Sequence, residues 1–372
     1  MLNSGEPGGV EQHVLDLVRG MVARGHTVYV VCPQGRMAVE YLEAGAEVWI
    51  DQPAFDIDPF YIFRLRSLLQ KFQPDIFHAH QLKTVVNGLV AAKLAGVSAK
   101  IAHIHTPLSE WQVPEWKKRL NIFVNRLVCN WGADVVLALT KVTKEARVAG
   151  EGIVSERVIV IPNGVDIDKF KVKSASRRTE SAVGFREKLG VSEDTVLAGT
   201  LSRLTVEKGH QVLLEAAVAL PFNSQILIAG DGPLRGALEQ QAKDLGVADK
   251  IIFLGFLPEE EKLAYFSALD IFVFPSLAEG FGIALIEAMA SGCACLVSDL
   301  PVLREVGGSA VVAFHSSDAE DLAKHLAGLI NSPDRRGILG ESARARVRRE
   351  FTREKFCERY EQLYENLDAV SR

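Results

Sequence analysis

Short apolar runs alternate with amphipathic stretches along almost the whole chain. Runs rich in Val, Ile and Leu predict buried β-strands, and segments with an apolar residue every third or fourth position predict helices. The predicted strands of the first half are 27–33, 46–51, 75–80, 99–106, 134–140 and 157–162. Those of the second half are 195–203, 224–232, 250–256, 271–276, 294–299 and 309–314. Nearly continuous apolar strands with helices between them predict an α/β protein with parallel sheets covered on both faces.

The two series of strands predict two domains. A chain of 372 residues is too long for one ordinary core, since domains average roughly 150 residues. Residues 171–184 are polar and weakly patterned, which is typical of a linker or loop. We therefore expect two Rossmann-like, doubly wound domains, residues 1–167 and 168–351, that face a cleft. Ligands of such sheets bind at the carboxyl ends of the strands.

Composition narrows the class of partner and the compartment. The net charge is −5 and no long basic run occurs, which argues against nucleic acid as a partner. Five scattered cysteines form no pairing framework and fit a reducing environment. No apolar run approaches the roughly 18 residues of a membrane span, and the first ten residues do not read as a signal peptide. We expect a cytoplasmic protein.

Polar residues and glycines follow the strands of the second half. Arg203 and Lys208 come after one strand, where a solvated turn is the simpler interpretation. Gly230 and Gly232 end the next strand, a weak signal by itself. The loop before the helix that begins near residue 283 leaves backbone N–H groups free at a helix N-terminus, which binds anions. Two cations and a helix N-terminus together suit a diphosphate.

Glu287 interrupts an otherwise apolar helix and therefore needs partners. A buried carboxylate must accept hydrogen bonds, and a ribose diol offers two donors. An internal salt bridge to a lysine or arginine is the alternative. Because Arg203, Lys208 and the glycine loop also follow strands of the second half, we favour ribose binding.

Taken together, these motifs resemble those of the retaining glycosyltransferases of glycosyltransferase family 4 (group 1), which have the GT-B fold. The matching stretches are 7–17, 75–80, 103–106, 160–166, 202–209, 229–233, 279–292 and 298–308. The pair Glu279 and Glu287 is the most specific part of the match. The resemblance implies that the last helix, residues 352–372, packs back on the N-terminal domain.

The resemblance also implies residue roles. Glu287 would bind the ribose, Glu279 the donor sugar, and Arg203 and Lys208 the diphosphate, while His105 would lie near the sugar. We group His105, Arg203, Lys208 and Glu279 as the catalytic set. The donor-binding set comprises Gly8, Gly9, Gly230, Gly232, Phe256, Leu257, Phe281, Gly282, Ile283 and Glu287.

The implied reaction transfers a sugar from a nucleoside-diphosphate sugar, a UDP- or GDP-sugar, to a hydroxyl acceptor with retention. Such transfer needs no carboxylate pair around the anomeric carbon and no metal, so we expect no cofactor. Acceptors range from glycans and small molecules to lipid-linked ones, which suggests a role in cell-envelope or glycoconjugate synthesis. The alternatives are a nucleotide-sugar epimerase of the same fold, for which no acid/base set stands out, and a nucleotide-sugar-binding protein without turnover.

Two histidine pairs and one helix have competing interpretations. Strand alternation places each pair on one face of its strand: His78 with His80, and His103 with His105. A metal site is one interpretation of these pairs. We favour structural roles for them, as for His13. The segment 113–131 has an apolar helical face and basic residues. We favour a face packed in the core over a peripheral membrane contact at the inner face of the membrane.

One departure from the family concerns the start of the chain. Family members have a hydrophobic strand before the glycine pair, whereas only four residues precede Gly5 here. That strand is central in the usual order. We expect its absence to leave a gap and two facing strand edges in the N-terminal sheet.

Overall fold

The computed structural model describes residues 1–111, 113–170 and 180–371. The chain divides into two compact units. The N-terminal unit comprises Met1–Asn163 and Arg353–Arg372, and the C-terminal unit comprises Gly164–Thr352. Most of the predicted linker, residues 171–179, lies outside the described residues. Its last five residues, predicted as loop, instead begin a helix at Glu180.

The N-terminal unit alternates strands with helices, as the apolar pattern predicts. Its strands are β1 (Tyr29–Cys32), β2 (Glu47–Ile50), β3 (Ile76–His80), β4 (Ala99–His103), β5 (Val135–Ala138) and β6 (Val158–Val160). Its helices are α1 (Gly9–Ala23), α2 (Arg36–Glu43), α3 (Pro59–Phe72), α4 (Leu82–Ala95), α5 (Glu115–Gly132), α6 (Lys141–Glu145) and α15 (Arg353–Ser371).

The strands of the N-terminal unit form two separate parallel sheets. One has the order β1-β2 and the other β3-β4-β5-β6. A cavity of about 980 Å³ lies between β1 and β3, where two strand edges face each other. Only the chain start bridges the sheets in the described residues: the Leu2 N–H donates to the Val31 carbonyl, and the His80 N–H to the Met1 carbonyl. The gap therefore lies where the sequence predicts it.

Helix α15 packs on α1 within the N-terminal unit. Phe356 and Tyr360 of α15 are buried in one apolar cluster with Leu17 and Met21 of α1 and with residues of β4 and β5. The Arg24 guanidinium also donates to Glu361 at 3.0 Å. Because the two helices share this core, the end of the chain belongs to the same compact unit as its beginning.

The C-terminal unit has the same alternation, with every strand in one sheet. Its strands are β7 (Val196–Leu201), β8 (Ser224–Ala229), β9 (Ile251–Gly255), β10 (Ile271–Phe274), β11 (Ala294–Ser298) and β12 (Val311–Phe314). Its helices are α7 (Glu180–Lys188), α8 (His210–Ala217), α9 (Arg235–Asp244), α10 (Glu259–Ala268), α11 (Ile283–Ala290), α12 (Pro301–Gly307), α13 (Ala319–Ile330) and α14 (Pro333–Glu350).

The order of this sheet is β12-β11-β10-β7-β8-β9, and all pairs are parallel. Strands β7 and β10 are neighbours although two strands separate them along the chain. The chain winds outward in both directions from this pair, so the crevice between their carboxyl ends is the topological switch point. Both units are thus Rossmann-like, as the sequence predicts.

Helix α5 contradicts the prediction of a core-facing apolar surface. Trp116, Leu120, Phe123, Leu127 and Trp131 each expose between 51% and 69% of their surface. The helix is instead anchored by Asn125, Cys129 and Gly132, which are buried. Asn125 donates to Glu151 at 3.1 Å, and Ile122 and Val128 pack against the apolar core, so the covered side of the helix is not the predicted stripe. The periodicity finds the stripe but does not tell which side of the helix is covered.

No helix in the described part of the chain combines the length and apolar character needed to cross a membrane.

Candidate active site

The predicted site residues of the C-terminal unit gather at its switch point. The loop after β7 carries Arg203 and Lys208, and the loop after β10 carries Glu279 and leads into α11. Strands β7 and β10 are paired, for example Ile271 with Ala198. The sheet therefore brings together two segments more than 70 residues apart, at the place where doubly wound sheets bind ligands.

Lys208 and Glu279 form an ion pair at this point. The Lys208 ammonium contacts the Glu279 carboxylate, and their side chains are only 16% and 10% exposed. The Ser276 hydroxyl donates to the same carboxylate at 3.3 Å. The sequence assigns these two residues to separate parts of a donor, the diphosphate and the sugar, and gives no sign of their contact.

Arg203 is the exposed cation of this group. Its side chain is 76% exposed and lies 3.9 Å from Glu207, a weak pair. A long, solvated guanidinium can turn toward an anion without breaking a buried contact. Arg203 is therefore available to a ligand, whereas Lys208 must first leave Glu279.

Helix α11 begins with an N-terminus that no side chain caps. Gly282 precedes it with φ of +92°, a left-handed conformation that glycine adopts without strain. The helix starts at Ile283, and its first N–H groups carry the positive end of the helix dipole. Phe281 is buried and packs its ring edge-on against Phe351, with ring centroids 5.7 Å apart. The Phe281 side chain thus fixes the loop that leads into α11.

Glu287 lies one turn further along α11 and is 7% exposed. Its backbone carbonyl accepts from the Ser291 N–H at 3.0 Å and from the Ser291 hydroxyl at 3.1 Å. The carboxylate is thus buried in the same helix whose N-terminus lies at the switch point, which is the arrangement that the sequence pattern predicts.

The predicted glycines after β8 serve close backbone packing. Gly230 has φ of +122°, and a Cβ there would collide with the Ser202 carbonyl. A Cβ on Gly232 would lie 2.6 Å from the Leu204 carbonyl oxygen. Both glycines press against the loop that carries Arg203, so their own packing explains the residue type. They position that loop, whether or not they also face a ligand.

Phe256 and Leu257 follow β9, next to the Gly230 loop. The Gly230 N–H donates to the Gly255 carbonyl at 2.7 Å, which ties the two strand ends together. Phe256 is 54% exposed and Leu257 is buried. Phe256 therefore offers an accessible ring and backbone beside the strand end, whereas Leu257 is part of the core.

His210 is a neighbour of this site that the sequence pattern does not indicate. It begins α8 directly after Gly209 and is fully buried, with its Nε2 3.1 Å from the Ser202 hydroxyl. Burial, and then the Lys208 charge, lower the His210 pKa to about 4. The imidazole is therefore neutral and holds the loop after β7 through a hydrogen bond.

The predicted residues of the N-terminal unit lie around α1 and the end of β4. Gly8 precedes α1 in an extended conformation, and Gly9 is the first residue of the helix. His105 follows β4, two residues after His103, and its Nε2 lies 3.2 Å from the His80 Nδ1. His13 of α1 and Tyr360 of α15 complete an aromatic group around these rings.

Comparisons with known proteins agree with this geometry. Residues 7–169 match the model of Glycosyltransferase Family 4, and residues 184–346 match that of Glycosyl transferases group 1. The uncharacterized glycosyltransferase MJ1607 of Methanocaldococcus jannaschii is 32% identical over 315 residues, 80% of this chain and 78% of that protein. The chain belongs to the group 1 glycosyltransferases of glycosyltransferase family 4. This confirms the family that the motifs suggest.

The structural relatives of this glycosyltransferase share the GT-B fold. The crystal structure of Anabaena Alr3699/HepE in complex with UDP and glucose has a TM-score of 0.86 at 23% identity and covers 98% of each chain. Alpha-monoglucosyldiacylglycerol synthase of Streptococcus pneumoniae is 27% identical over 97% of this chain and 83% of its own length. Matches to some other curated relatives span 61% of those proteins.

Proposed function

We propose that this glycosyltransferase moves a hexose from a nucleoside-diphosphate sugar to a hydroxyl acceptor with retention of the anomeric configuration. The observation that carries the proposal is the switch point of the C-terminal unit. There Lys208, Glu279 and the uncapped N-terminus of α11 meet beside the exposed Arg203. Two cations and a helix dipole stabilise a diphosphate, and a carboxylate accepts hydrogen bonds from sugar hydroxyls.

In this proposal the donor replaces an internal partner. Without a ligand, Lys208 neutralises Glu279. An arriving diphosphate offers Lys208 stronger, doubly charged acceptors and releases Glu279, which then accepts from the sugar. Binding of the diphosphate and the capture of the sugar are therefore coupled through one ion pair. Glu287 takes the ribose hydroxyls.

The proposed step breaks the bond between the anomeric carbon and the diphosphate oxygen. The electron pair leaves with the diphosphate, whose growing charge Arg203, Lys208 and the N-terminus of α11 stabilise. The acceptor oxygen bonds to the anomeric carbon on the same face, and its proton passes to the departing diphosphate. His105 lies near the sugar. No metal or other cofactor takes part.

UDP-glucose is the donor to test first, because HepE, a structural relative, is described in complex with UDP and glucose. A thermal-shift panel of UDP, GDP and ADP and their sugars should show stabilisation with one nucleotide. At 100 times its Kd a ligand adds about 2.7 kcal/mol. Glu287→Ala should lose this shift, while the control Glu320→Ala, an exposed carboxylate on α13, should keep it. No shift with any nucleotide in the wild type would sink the proposal.

Product analysis separates the proposal from its alternatives. Transfer to an acceptor with the anomeric configuration of the donor, measured by NMR, supports retention. A donor changed at C2 without transfer would indicate the epimerase. Nucleotide binding with neither product would indicate a binding protein without turnover.

A second observation, the exposed face of α5, favours a lipid-linked acceptor. Its five apolar side chains lie at intervals of three and four residues, a stripe about 80° wide along the helix. Lys117, Arg119 and Arg126 are exposed on the same helix. An apolar stripe flanked by cations suits an anionic bilayer surface. We infer a peripheral contact of α5 with the membrane, which fits a role in cell-envelope synthesis. The full-length relative from Streptococcus pneumoniae is named for a glucosylated diacylglycerol.

Vesicle flotation tests this contact. The wild type should float with vesicles that contain phosphatidylglycerol and less with pure phosphatidylcholine, and high salt should weaken the binding. The double variant Phe123→Ser/Leu127→Ser should stay at the bottom of the gradient. Phe222→Ser removes a fully exposed ring from the C-terminal unit and is the control. Equal flotation of all three proteins would refute the assignment to α5.

A further inference from the structure

Four histidines converge at the carboxyl ends of β3 and β4. His80 and His103 are direct partners in the register of this parallel pair, so their side chains share one face of the sheet. His105 follows two residues later, and His13 of α1 approaches the same face. One ring nitrogen from each of the four lies within 4.8 Å of the others. The two H-x-H pairs of the sequence and the isolated His13 thus form one cluster.

The ring nitrogens of this cluster lie close to one another, and those of His103 are buried without a partner among the described residues. His13 Nδ1 lies 2.6 Å from the Asn163 amide oxygen, so it carries the proton, and the Nε2 lone pair faces the Tyr360 hydroxyl at 3.4 Å, a long contact that a metal ion can replace. His80 Nδ1 and His105 Nε2 face each other at 3.2 Å. His103 is fully buried, and neither of its ring nitrogens has a partner among the described residues. A buried polar group without a partner is rare and calls for a ligand.

We propose that His13, His80, His103 and His105 bind one divalent transition-metal ion of the zinc class. Imidazole is a preferred ligand of Zn²⁺, Ni²⁺ and Cu²⁺, whereas Mg²⁺ and Ca²⁺ select oxygen ligands. The cluster contains no carboxylate or thiolate ligand. Four imidazole ligands therefore favour Zn²⁺, Ni²⁺ and Cu²⁺ over Mg²⁺ and Ca²⁺.

A tetrahedral ion requires side-chain rotations, because the His103 and His105 rings are stacked with their centroids 3.9 Å apart. Zinc–nitrogen bonds of about 2.0–2.1 Å place tetrahedral ligand atoms about 3.3 Å apart. The His80–His105 nitrogen pair already has this spacing, and the widest separation of 4.8 Å requires the outer rings to move inward by roughly 1 Å. His105 is partly exposed and provides the route by which an ion enters. The Asn163 amide oxygen orients His13 as an outer partner orients a metal ligand.

The charges that face the cluster permit a cation. Arg147 is the nearest fixed cation, but its guanidinium is paired with Glu151 at 2.7 Å, so its charge is largely neutralised. The Met1 amine also lies at these strand ends, where it donates to the His78 carbonyl at 2.9 Å.

The proposed ion competes with the role that the family resemblance implies for His105. It would draw His105 into the metal site, while the resemblance to family 4 implies that His105 lies near the donor sugar. It would also link α1 to the ends of β3 and β4. The expected consequence is a more stable N-terminal unit when the metal is bound.

Metal binding is tested on the untagged full-length chain. After incubation with Zn²⁺ and dialysis, elemental analysis should find one zinc per chain, and Co²⁺ should give the visible absorption of a tetrahedral site. Zn²⁺ should raise the melting temperature and Mg²⁺ should not. His103→Asn should lower zinc affinity by at least tenfold, and Asn163→Ala, which changes no ligand, by about 10–100-fold. Circular dichroism of each metal-free variant checks that it is folded.

A histidine pair near the surface of the C-terminal unit provides the matched control. His315 and His325 both lie beside Asp321, at 2.9 Å and 3.4 Å, and form the obvious competing surface site. The variant His315→Ala/His325→Ala should keep one zinc per chain. If this variant loses the metal, or if folded His103→Asn and Asn163→Ala bind it as tightly as the wild type, the proposed site is wrong.

Discussion

The Lys208–Glu279 pair allows a prediction whose size follows from its burial. Exposed ion pairs contribute about 0–1 kcal/mol, while removing one partner of a buried pair costs about 3–5 kcal/mol. With side chains 16% and 10% exposed, this pair lies nearer the buried limit. Lys208→Met leaves the Glu279 carboxylate with the Ser276 hydroxyl as its one hydrogen-bond partner among the described residues. We expect a loss of about 3 kcal/mol in the free energy of unfolding of the C-terminal unit.

The assay is a double-mutant cycle followed by circular dichroism in urea. For a unit of this size, about 3 kcal/mol corresponds to a fall of roughly 6–12 °C in melting temperature. Lys208→Met/Glu279→Gln removes both charges, so it should be more stable than the sum of the single losses by about 2 kcal/mol. Additive losses in the double variant, or a Lys208→Met protein as stable as the wild type, would refute the reasoning.

The same variants test the proposed exchange of partners. Because Glu279→Gln releases Lys208, it should bind UDP at least as tightly as the wild type while losing sugar transfer. Lys208→Met should bind UDP at least tenfold more weakly. Weaker UDP binding in Glu279→Gln, measured by calorimetry, would mean that the carboxylate does not compete with the diphosphate for the lysine.

Three further predictions concern stability. Gly209 has φ of +66°, and a Cβ there would collide with a backbone carbonyl, so Gly209→Ala should lower the free energy of unfolding by more than about 1 kcal/mol. Gly337 lies in α14 with open space around it, so Gly337→Ala should raise the free energy of unfolding by about 0.5–1 kcal/mol in the same urea titration. The His210 pKa is lowered to about 4 in the folded protein, whereas an unfolded histidine is protonated below about pH 6.5, so the free energy of unfolding decreases as the pH is lowered. Between pH 7 and about pH 5, this decrease should be about 2 kcal/mol smaller in His210→Gln than in the wild type. Arg147→Met leaves the buried Glu151 carboxylate without its cation and should lower the free energy of unfolding by about 3–5 kcal/mol. Tryptophan fluorescence measures this loss, because all four tryptophans lie in the N-terminal unit.

The apolar pattern alone predicts the strands of both units, because buried parallel strands are nearly continuous in Val, Ile and Leu. The switch-point motif around Glu279 is also visible, since a glycine loop before an apolar helix has few other interpretations. The family resemblance rests on these same residues.

What the sequence does not indicate depends on contacts between distant segments. The histidine cluster forms because the strand register places His80 opposite His103 and because α1 brings His13 close to them. The two H-x-H pairs in the sequence do not reveal this register. Which face of α5 is exposed also depends on contacts with distant segments. A helical stripe is equally compatible with a core and with a membrane, and only the polar contact of Asn125 with Glu151 shows which side is covered.

The cavity between β1 and β3 also determines how the N-terminal unit responds to hydrostatic pressure. Unfolding eliminates internal voids, and the decrease in volume scales with their size. About 980 Å³ is several times the roughly 150 Å³ of an engineered cavity that stays dry. This space is partly open to solvent, so we expect the facing strands of the N-terminal unit to close on it under compression before the continuous six-stranded sheet of the C-terminal unit yields.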